Sequence, residues 1–250
     1  MRIMAGINNI LNKGLLLHGI GSGLLETVSG KLLEITTAQT MKMSIDATTE
    51  DQFGGDSLFP LYTFISKKEG KVELTNAEFK LSQLAIAQGV DVTASGNKRT
   101  GRVLLRKNDT ELVPGGKLSG VAVIAVVGPD GQKTDAVTVT AAGAVTFAAD
   151  AADGEYAVWY KADDDTAVKA SMLKNAMPEV ATFNWMFRTE DSDGNKYQID
   201  LYARRTRCDG KFDIETARDK ASTPNLTVNI LDPGDGKDDF AVITISKVKE

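Results

Sequence analysis

Alternation of apolar and polar side chains is the dominant pattern along this chain. In residues 31–49 it is clearest at Met41, Met43 and Ile45, which are separated by polar residues. Because successive side chains of a strand point to opposite faces, a period of two places one face on a core and the other in solvent. The whole segment is therefore predicted to be one β-strand.

A hairpin is predicted immediately after this strand. Residues 58–65 are strong β formers, and the polar stretch from Lys67 to Gly70 predicts a turn into another strand at 71–74. Between the first two predicted strands, residues 51–56 form a glycine-bearing loop that contains the aromatic residue Phe53.

One helix is predicted after this hairpin. Thr75 and Glu78 have the spacing of a capping box, Leu81 and Leu84 recur at helical spacing, and Gly89 supplies a stop signal.

From residue 100 onward, short apolar runs recur at intervals typical of β-sandwiches and barrels, with Gly, Pro and Asp turns between them. The segment 118–160 has a single basic residue, Lys133, and is rich in Ala, Val, Gly and Thr. This shift in composition predicts a small β subdomain. Strands are predicted at 103–105, 121–127, 137–140, 145–147, 156–160, 183–187, 197–201 and 240–245.

Composition and charge narrow the class of protein. The chain has 250 residues, is 42% hydrophobic and 25% charged, and carries a net charge of -5, which predicts a folded globular protein rather than a nucleic-acid-binding one. The single cysteine, Cys208, excludes an intrachain disulfide. The apolar stretch at 15–20 is too short for a membrane span, so residues 1–30 are interpreted as an ordered N-terminal arm.

Familiar catalytic and binding motifs are incomplete in this chain. Its one histidine, His18, lies in a glycine-rich stretch with no nucleophile placed beside it by the sequence. The run from Gly19 to Gly23 matches neither a dinucleotide-binding nor a phosphate-binding fingerprint and is interpreted as a flexible connector. No catalytic residue, metal site or cofactor is predicted, and the protein is expected not to be an enzyme.

Charged clusters have simpler structural interpretations. The acidic stretches 163–165, 190–195 and 232–239 lack the ligand spacing of an EF-hand and are predicted to be turns or loops. Arg204, Arg205 and Arg207 could contact phosphate. Because alternate strand residues face opposite ways and acidic residues lie nearby, pairing of these charges across a subunit interface is favoured.

The order of these features resembles that of bacteriophage major tail proteins, the subunits of the tail tube. The resemblance covers most of residues 31–246. It is carried by the Gly-Gly-Asp loop that leads into Leu58–Tyr62, the hairpin and helix that follow, and the motifs at 145–147, 154–160, 185–202 and 225–233.

This resemblance implies a mainly β fold, a β-sandwich or half-barrel with one flanking α-helix and a small inserted β subdomain. The domains would be an N-terminal arm at 1–30, a tail-tube domain formed by 31–117 and 161–250, and the insertion at 118–160. Six copies would join sheet edges into a ring, and rings would stack into a conduit for the genome.

The resemblance also implies partners and a location. The main partner would be the chain itself, with tape-measure, tail-terminator and baseplate proteins, and a sheath if the tail has one. DNA would pass through the lumen without specific binding, and the protein would be made in the host cytoplasm and reside in the virion. The loop 51–60 and the arm before Lys31 would reach neighbouring rings. The predicted assembly residues are Phe53, Leu58, Phe59, Tyr62, Leu81, Leu84, Arg204 and Arg205.

Two other classes of function remain open from the sequence. One is a capsid decoration protein or an immunoglobulin-like surface binding module of a virion, in which the 118–160 segment would bind the target. The other is an enzyme such as a glycosidase that uses two of the many carboxylates.

Overall fold

The computed structural model describes residues 14–55, 58–214, 218–219, 223–236 and 239–248. It is mainly β, as predicted, and divides into two compact units. Unit 1 contains the residues up to Asp91 and those from Ser171, and unit 2 contains Val92–Ala170.

Unit 1 is built on one antiparallel sheet with the order β3-β2-β13-β14-β15-β5-β4. Two shorter strands extend it, because β1 pairs with β13 and β16 pairs with β14. The elements of unit 1 are β1 (Leu15–Leu16), β2 (Ser22–Thr27), β3 (Leu32–Ile35), β4 (Ala38–Gln52), β5 (Tyr62–Asn76), α1 (Leu81–Gln88), β13 (Val180–Asp191), β14 (Lys196–Cys208), β15 (Asn225–Ile230) and β16 (Ala241–Lys247).

The central hairpin of unit 1 is formed by β13 and β14. Phe183 and Trp185 are buried and stand opposite Ala203 and Leu201. These side chains share the buried face of the sheet with residues of β2, β3, β5 and β15 and with part of α1. The predicted alternation in both strands and the turn between them, at Gly194, are confirmed.

The predicted arm contains two strands of the main sheet. β2 pairs with β13, and its Leu25 is 0% exposed. The glycine run is not a flexible connector, because an added Cβ at Gly23 would stand 2.2 Å from the Trp185 ring. The Trp185 indole also donates a hydrogen bond to the Ile20 carbonyl at 2.8 Å. Residues 1–13 of the predicted arm lie outside the described residues.

The predicted strand at 31–49 is two strands. β3 ends at Ile35 and pairs with β2, whereas β4 begins at Ala38 and pairs with β5. The alternation continues across the break, so periodicity alone did not reveal that the chain leaves one edge of the sheet for the other.

The turn predicted at Lys67–Gly70 is wrong. β5 runs without interruption from Tyr62 to Asn76, and Gly70 lies within it, paired with Ile45 on one side and Ile230 on the other. Polar residues suggested a turn here because this part of the strand is exposed on both faces. The true hairpin joins β4 to β5 around residues 53–61.

The predicted start of the helix is also wrong. Thr75 and Asn76 end β5, and α1 begins after Lys80, which makes no side-chain cap hydrogen bond. Sheet pairing of Thr75 with Asn225 outweighs the local capping signal. The predicted stop is confirmed, since Gly89 adopts the left-handed conformation at a φ of 66° and its amide bonds back to the helix.

Unit 2 has its own core around a three-stranded sheet with the order β7-β11-β8. It spans more than the predicted 118–160 segment, because β11 pairs along its whole length with β7. Strands predicted at 103–105, 121–127, 137–140, 145–147 and 156–160 are confirmed. The elements are β6 (Val92–Thr93), β7 (Lys98–Arg106), β8 (Ala122–Val127), β9 (Val137–Val139), β10 (Val145–Phe147), β11 (Glu155–Asp163) and β12 (Lys169–Ala170).

Candidate functional site

The hairpin of β4 and β5 extends beyond the core of unit 1. The two strands pair from Ala38 opposite Asn76 to Gln52 opposite Tyr62. Every residue of the segments 45–52 and 62–69 is exposed, so this part of the hairpin is covered on neither face by the described residues. We call residues 45–69 the hairpin arm. Because a lone two-stranded hairpin is marginally stable in water, a second surface packed against the arm would stabilise it.

Apolar side chains are concentrated at the end of this arm. Leu58 is 92% exposed, Phe59 is 80% exposed, and Phe53 and Leu61 are exposed as well. We call these four residues the arm tip. The Leu61 amide donates to the Gln52 carbonyl at 2.8 Å and closes the last ladder position before the tip. Contiguous exposed apolar residues of this kind mark interaction sites in proteins that remain in solution.

The arm tip is acidic as well as apolar. Glu50 and Asp51 precede it, and no Lys or Arg occurs between residues 47 and 66. The Thr63 hydroxyl donates to the Asp51 carboxylate at 2.5 Å, which fixes this acid on the arm. A complementary surface would therefore combine apolar side chains with positive charge.

The structure brings together four of the predicted assembly residues and separates the rest. Phe53, Leu58, Phe59 and Tyr62 all lie at the end of the hairpin arm, where the Tyr62 ring stacks on Phe64 at a centroid distance of 6.2 Å. The other aliphatic candidates, Leu81 and Leu84, are half-buried on α1. Their contact with a second copy stays a prediction.

The predicted arginines make contacts within their own chain. Arg204 Nη1 donates to Asp235 Oδ2 at 2.8 Å, and its Nη2 donates to Asp239 Oδ1 at 2.6 Å. Arg205 Nη1 donates to the Asp232 carbonyl at 2.9 Å. Both arginines thus hold the acidic loop that joins β15 to β16, and a role across a subunit interface stays a prediction.

Unit 1 contains an open apolar cleft that the sequence pattern did not reveal. It has a volume of about 670 Å³ and is lined by residues of β1, β4, β13, β14 and β16 and of the segment that follows β1. We call it the apolar cleft. Its lining residues are Leu15, Leu17, Gly19, Ile20, Met41, Met43, Phe187, Ile199, Leu201, Ile243 and Ile245.

Alternation in β4 and β16 identified the cleft residues as apolar but not as uncovered. Ile243 faces the same side of the sheet as Leu201, its partner across the ladder, yet it is 57% exposed. Only the absence of a covering element among the described residues distinguishes this end of the sheet from the closed core. A period of two in the sequence looks the same whether the apolar face of the strand is covered or uncovered.

The residues with possible catalytic or metal-binding chemistry are placed in ordinary structural roles. His18 Nε2 lies 3.7 Å from Glu190 Oε1 on an exposed surface. Asp191 Oδ1 accepts hydrogen bonds from the amides of Asp193 and Asn195 at 2.9 Å, which confirms the predicted turn at this acidic stretch. Across the described ranges, no group of three or more potential ligands could hold a metal ion.

Burial makes Cys208 a poor nucleophile. Its side chain belongs to the core of unit 1, and desolvation, followed by the nearby Asp209 charge, raises the pKa of the thiol to about 12.

No helix within the part of the chain that the structure describes is long and apolar enough to cross a bilayer.

Comparison with known families gives one match that covers most of the chain. The model described as the YomU/Tube protein family matches residues 24–244. Both strands of the hairpin arm and every strand that lines the apolar cleft except β1 fall at least partly within this range. No curated protein matches the chain.

Proposed function

Because the chain belongs to the YomU/Tube protein family, we propose that it is a structural subunit of a bacteriophage tail tube. In this proposal, copies join into rings, six to a ring, and the rings stack into the conduit through which the genome leaves the virion. The subunit catalyses no reaction, is made in the host cytoplasm and functions only after assembly.

The hairpin arm is the observation that carries this proposal. Segments 45–52 and 62–69 are exposed on both faces, and the arm ends in a cluster of apolar side chains that includes Leu58 and Phe59. An isolated chain gains little from such an arm, since the arm buries nothing of its own core. A stacked assembly gives it a partner surface on a neighbouring copy.

Unpaired sheet edges support the formation of rings. Among the described residues, β4 pairs only with β5, β3 only with β2, and β16 only with β14. Each of these strands therefore has one edge whose backbone donors and acceptors are available to another strand. In a monomer such edges promote aggregation, whereas a closed ring of copies would pair them in a defined register.

The charge of the chain supports passage of DNA without binding. The net charge of -5 disfavours strong phosphate binding, which requires an excess of Lys and Arg to displace the counterions of DNA. An inner surface with excess Asp and Glu would keep the phosphate backbone away from the wall. Tape-measure, tail-terminator and baseplate proteins, and a sheath in a tail that contracts, are the proposed partners.

Electron microscopy of the purified protein tests this function. We expect rings or hollow tubes of uniform width to form as the concentration and incubation time increase. The variant Leu58→Asp should prevent stacking, because it places a charge at the most exposed position of the arm tip. Its matched control is Leu104→Asp, which changes a half-exposed leucine on β7 of unit 2.

Other results of the same experiment would contradict the proposed function. Small particles of one size at every concentration, in the wild type and in both variants, would argue against a tube subunit. A stable trimer would favour a capsid decoration protein instead.

A further inference from the structure

The apolar cleft lacks a covering element among the described residues. Its lining includes Met41 and Met43 of β4 and Ile243 and Ile245 of β16. Phe187 of β13 and Ile199 of β14 also line it. Its volume of about 670 Å³ lies within the range of about 300–1,000 Å³ found for specific pockets, so several side chains of leucine or phenylalanine size can enter it.

The arm tip has the matching chemistry. It presents two leucines and two phenylalanines, and its acidic flank contains Glu50 and Asp51. Lys247 lies two residues beyond the lining residue Ile245 on the same face of β16, and its ammonium donates to Asn195 Oδ1 at 2.9 Å. An acidic apolar tip seated beside this lysine would gain both burial and charge pairing.

The tip of one chain cannot fill the cleft of that same chain. Met43 lines the cleft, and Phe53 follows it by ten residues, directly after the end of β4. At about 3.3 Å per strand residue, the tip extends roughly 30 Å from the cleft. The continuous pairing with β5 keeps the arm extended, so a tip that occupies the cleft must come from another copy.

We propose that the arm tip of one copy, with Leu58 and Phe59 leading, inserts into the apolar cleft of a neighbouring copy and packs on residues of its β4 and β16. This assignment rests on the proposed tube function and specifies the acceptor surface for the arm. Tip and cleft are different surfaces, so each copy donates one contact and accepts another. Contacts of this heterologous kind propagate through rings and stacks instead of ending at a dimer.

Cysteine cross-linking tests the proposed contact directly. The only native cysteine, Cys208, is buried, so it should react little with the linker. One sample contains the Leu58→Cys variant, a second contains Ile243→Cys, and a third mixes the two before a short bis-maleimide linker is added. The matched control pairs Leu58→Cys with Ile124→Cys, a comparably exposed isoleucine on β8 of unit 2.

We expect a covalent dimer in the mixture of Leu58→Cys with Ile243→Cys, at a yield at least about tenfold above the control pair. The burial that this contact provides is sufficient for such a ratio. A protein with both substitutions should form a ladder of covalent oligomers, because every copy then carries a donor and an acceptor. Electron microscopy of the same samples records whether tubes are present.

The outcomes distinguish the cleft assignment from the proposed tube function. Tubes with cross-linking no higher than the control would overturn the cleft assignment and leave the tube function intact. Specific cross-links without tubes would support the cleft assignment and count against the tube function. Dimers of Leu58→Cys alone, in excess of the mixed pair, would indicate tips that meet each other and overturn the assignment. Absence of both tubes and cross-links would overturn both.

Discussion

Gly70 of β5 stands directly opposite Ile45 of β4, at the point where the hairpin leaves the core of unit 1. Gly70 is the first buried residue of β5, and Ile230 of β15 packs against the position where a side chain would begin. The absence of a Cβ lets three strands approach closely here. Beyond this pair, both strands are exposed, so the two residues mark the base of the hairpin arm.

Gly70→Val should destabilise unit 1 by about 1–3 kcal/mol. A Cβ at this position would lie 3.1 Å from atoms of Ile230, and the two methyl groups of valine would increase the crowding. The gain from restricting the unfolded chain, about 0.4–1 kcal/mol, is smaller. Urea denaturation measures the change. Gly14→Ala is the control, since no atom lies within 4 Å of its added Cβ, and an equal loss in both variants would contradict the account.

Arg204→Gln should loosen the loop between β15 and β16. The arginine side chain is 20% exposed and pairs with Asp235 and Asp239, so we expect a loss of about 1–2 kcal/mol. A double-mutant cycle with Asp235→Asn should show a favourable coupling energy in the unassembled protein. Additive effects in that cycle would show that the pair contributes nothing within the chain, and would strengthen the prediction of an interface role.

Cys208 should resist thiol reagents until the protein unfolds. With a pKa of about 12, roughly one thiol in ten thousand is ionised at about pH 8, against about one in ten for an ordinary cysteine. Labelling with a disulfide reagent should therefore be slow in buffer and fast in denaturant. Rapid labelling of the native protein would mean that the core around β14 opens readily.

The same thiol makes stability depend on alkaline pH. The folded pKa is above the unfolded value of about 9, so the thiol's contribution is complete below about pH 9 and is lost as the pH rises toward about 12. Cys208→Ala should remove this part of the pH dependence. Thermal unfolding of both proteins across this range measures it.

Glu179→Gln should lower the melting temperature near neutral pH. The Ser29 hydroxyl and the Lys31 ammonium, at 3.0 Å, hold the pKa of the Glu179 carboxyl below its usual value. A lowered carboxyl pKa contributes stability above about pH 4.5, and that contribution is lost as the pH falls through the folded pKa. The difference in melting temperature between Glu179→Gln and wild type should therefore vanish in acid.

Unit 1 should fold without unit 2. Thr93 pairs with Lys169 where β6 meets β12, so a two-residue Asn-Gly turn can join these residues when 94–168 are removed. The shortened chain should unfold in one cooperative transition and retain the assembly behaviour of the full chain. Loss of cooperativity would show that the core of unit 1 depends on unit 2.

The sequence by itself determined the β class, most of the strands and the apolar composition of the arm tip. Alternation at Phe183, Trp185, Tyr197 and Ile199 identified the central hairpin, because a buried face leaves a period of two in the residues themselves. The resemblance to tail proteins placed Leu58 and Phe59 among the predicted assembly residues, and their contact with a second copy stays a prediction.

Only the tertiary structure decided where strands end and which apolar faces stay uncovered. Lys67–Gly70 resembled a turn because local sequence does not distinguish a turn from a strand exposed on both faces. Thr75 resembled a helix cap because its partners Thr40 and Asn225 are distant in the chain. Ile243 belongs to a predicted strand, but its 57% exposure did not follow from the sequence, because coverage depends on every other element of the fold. Strand pairing and the coverage of apolar faces depend on contacts between distant segments of the chain. Short-range periodicity does not determine these contacts.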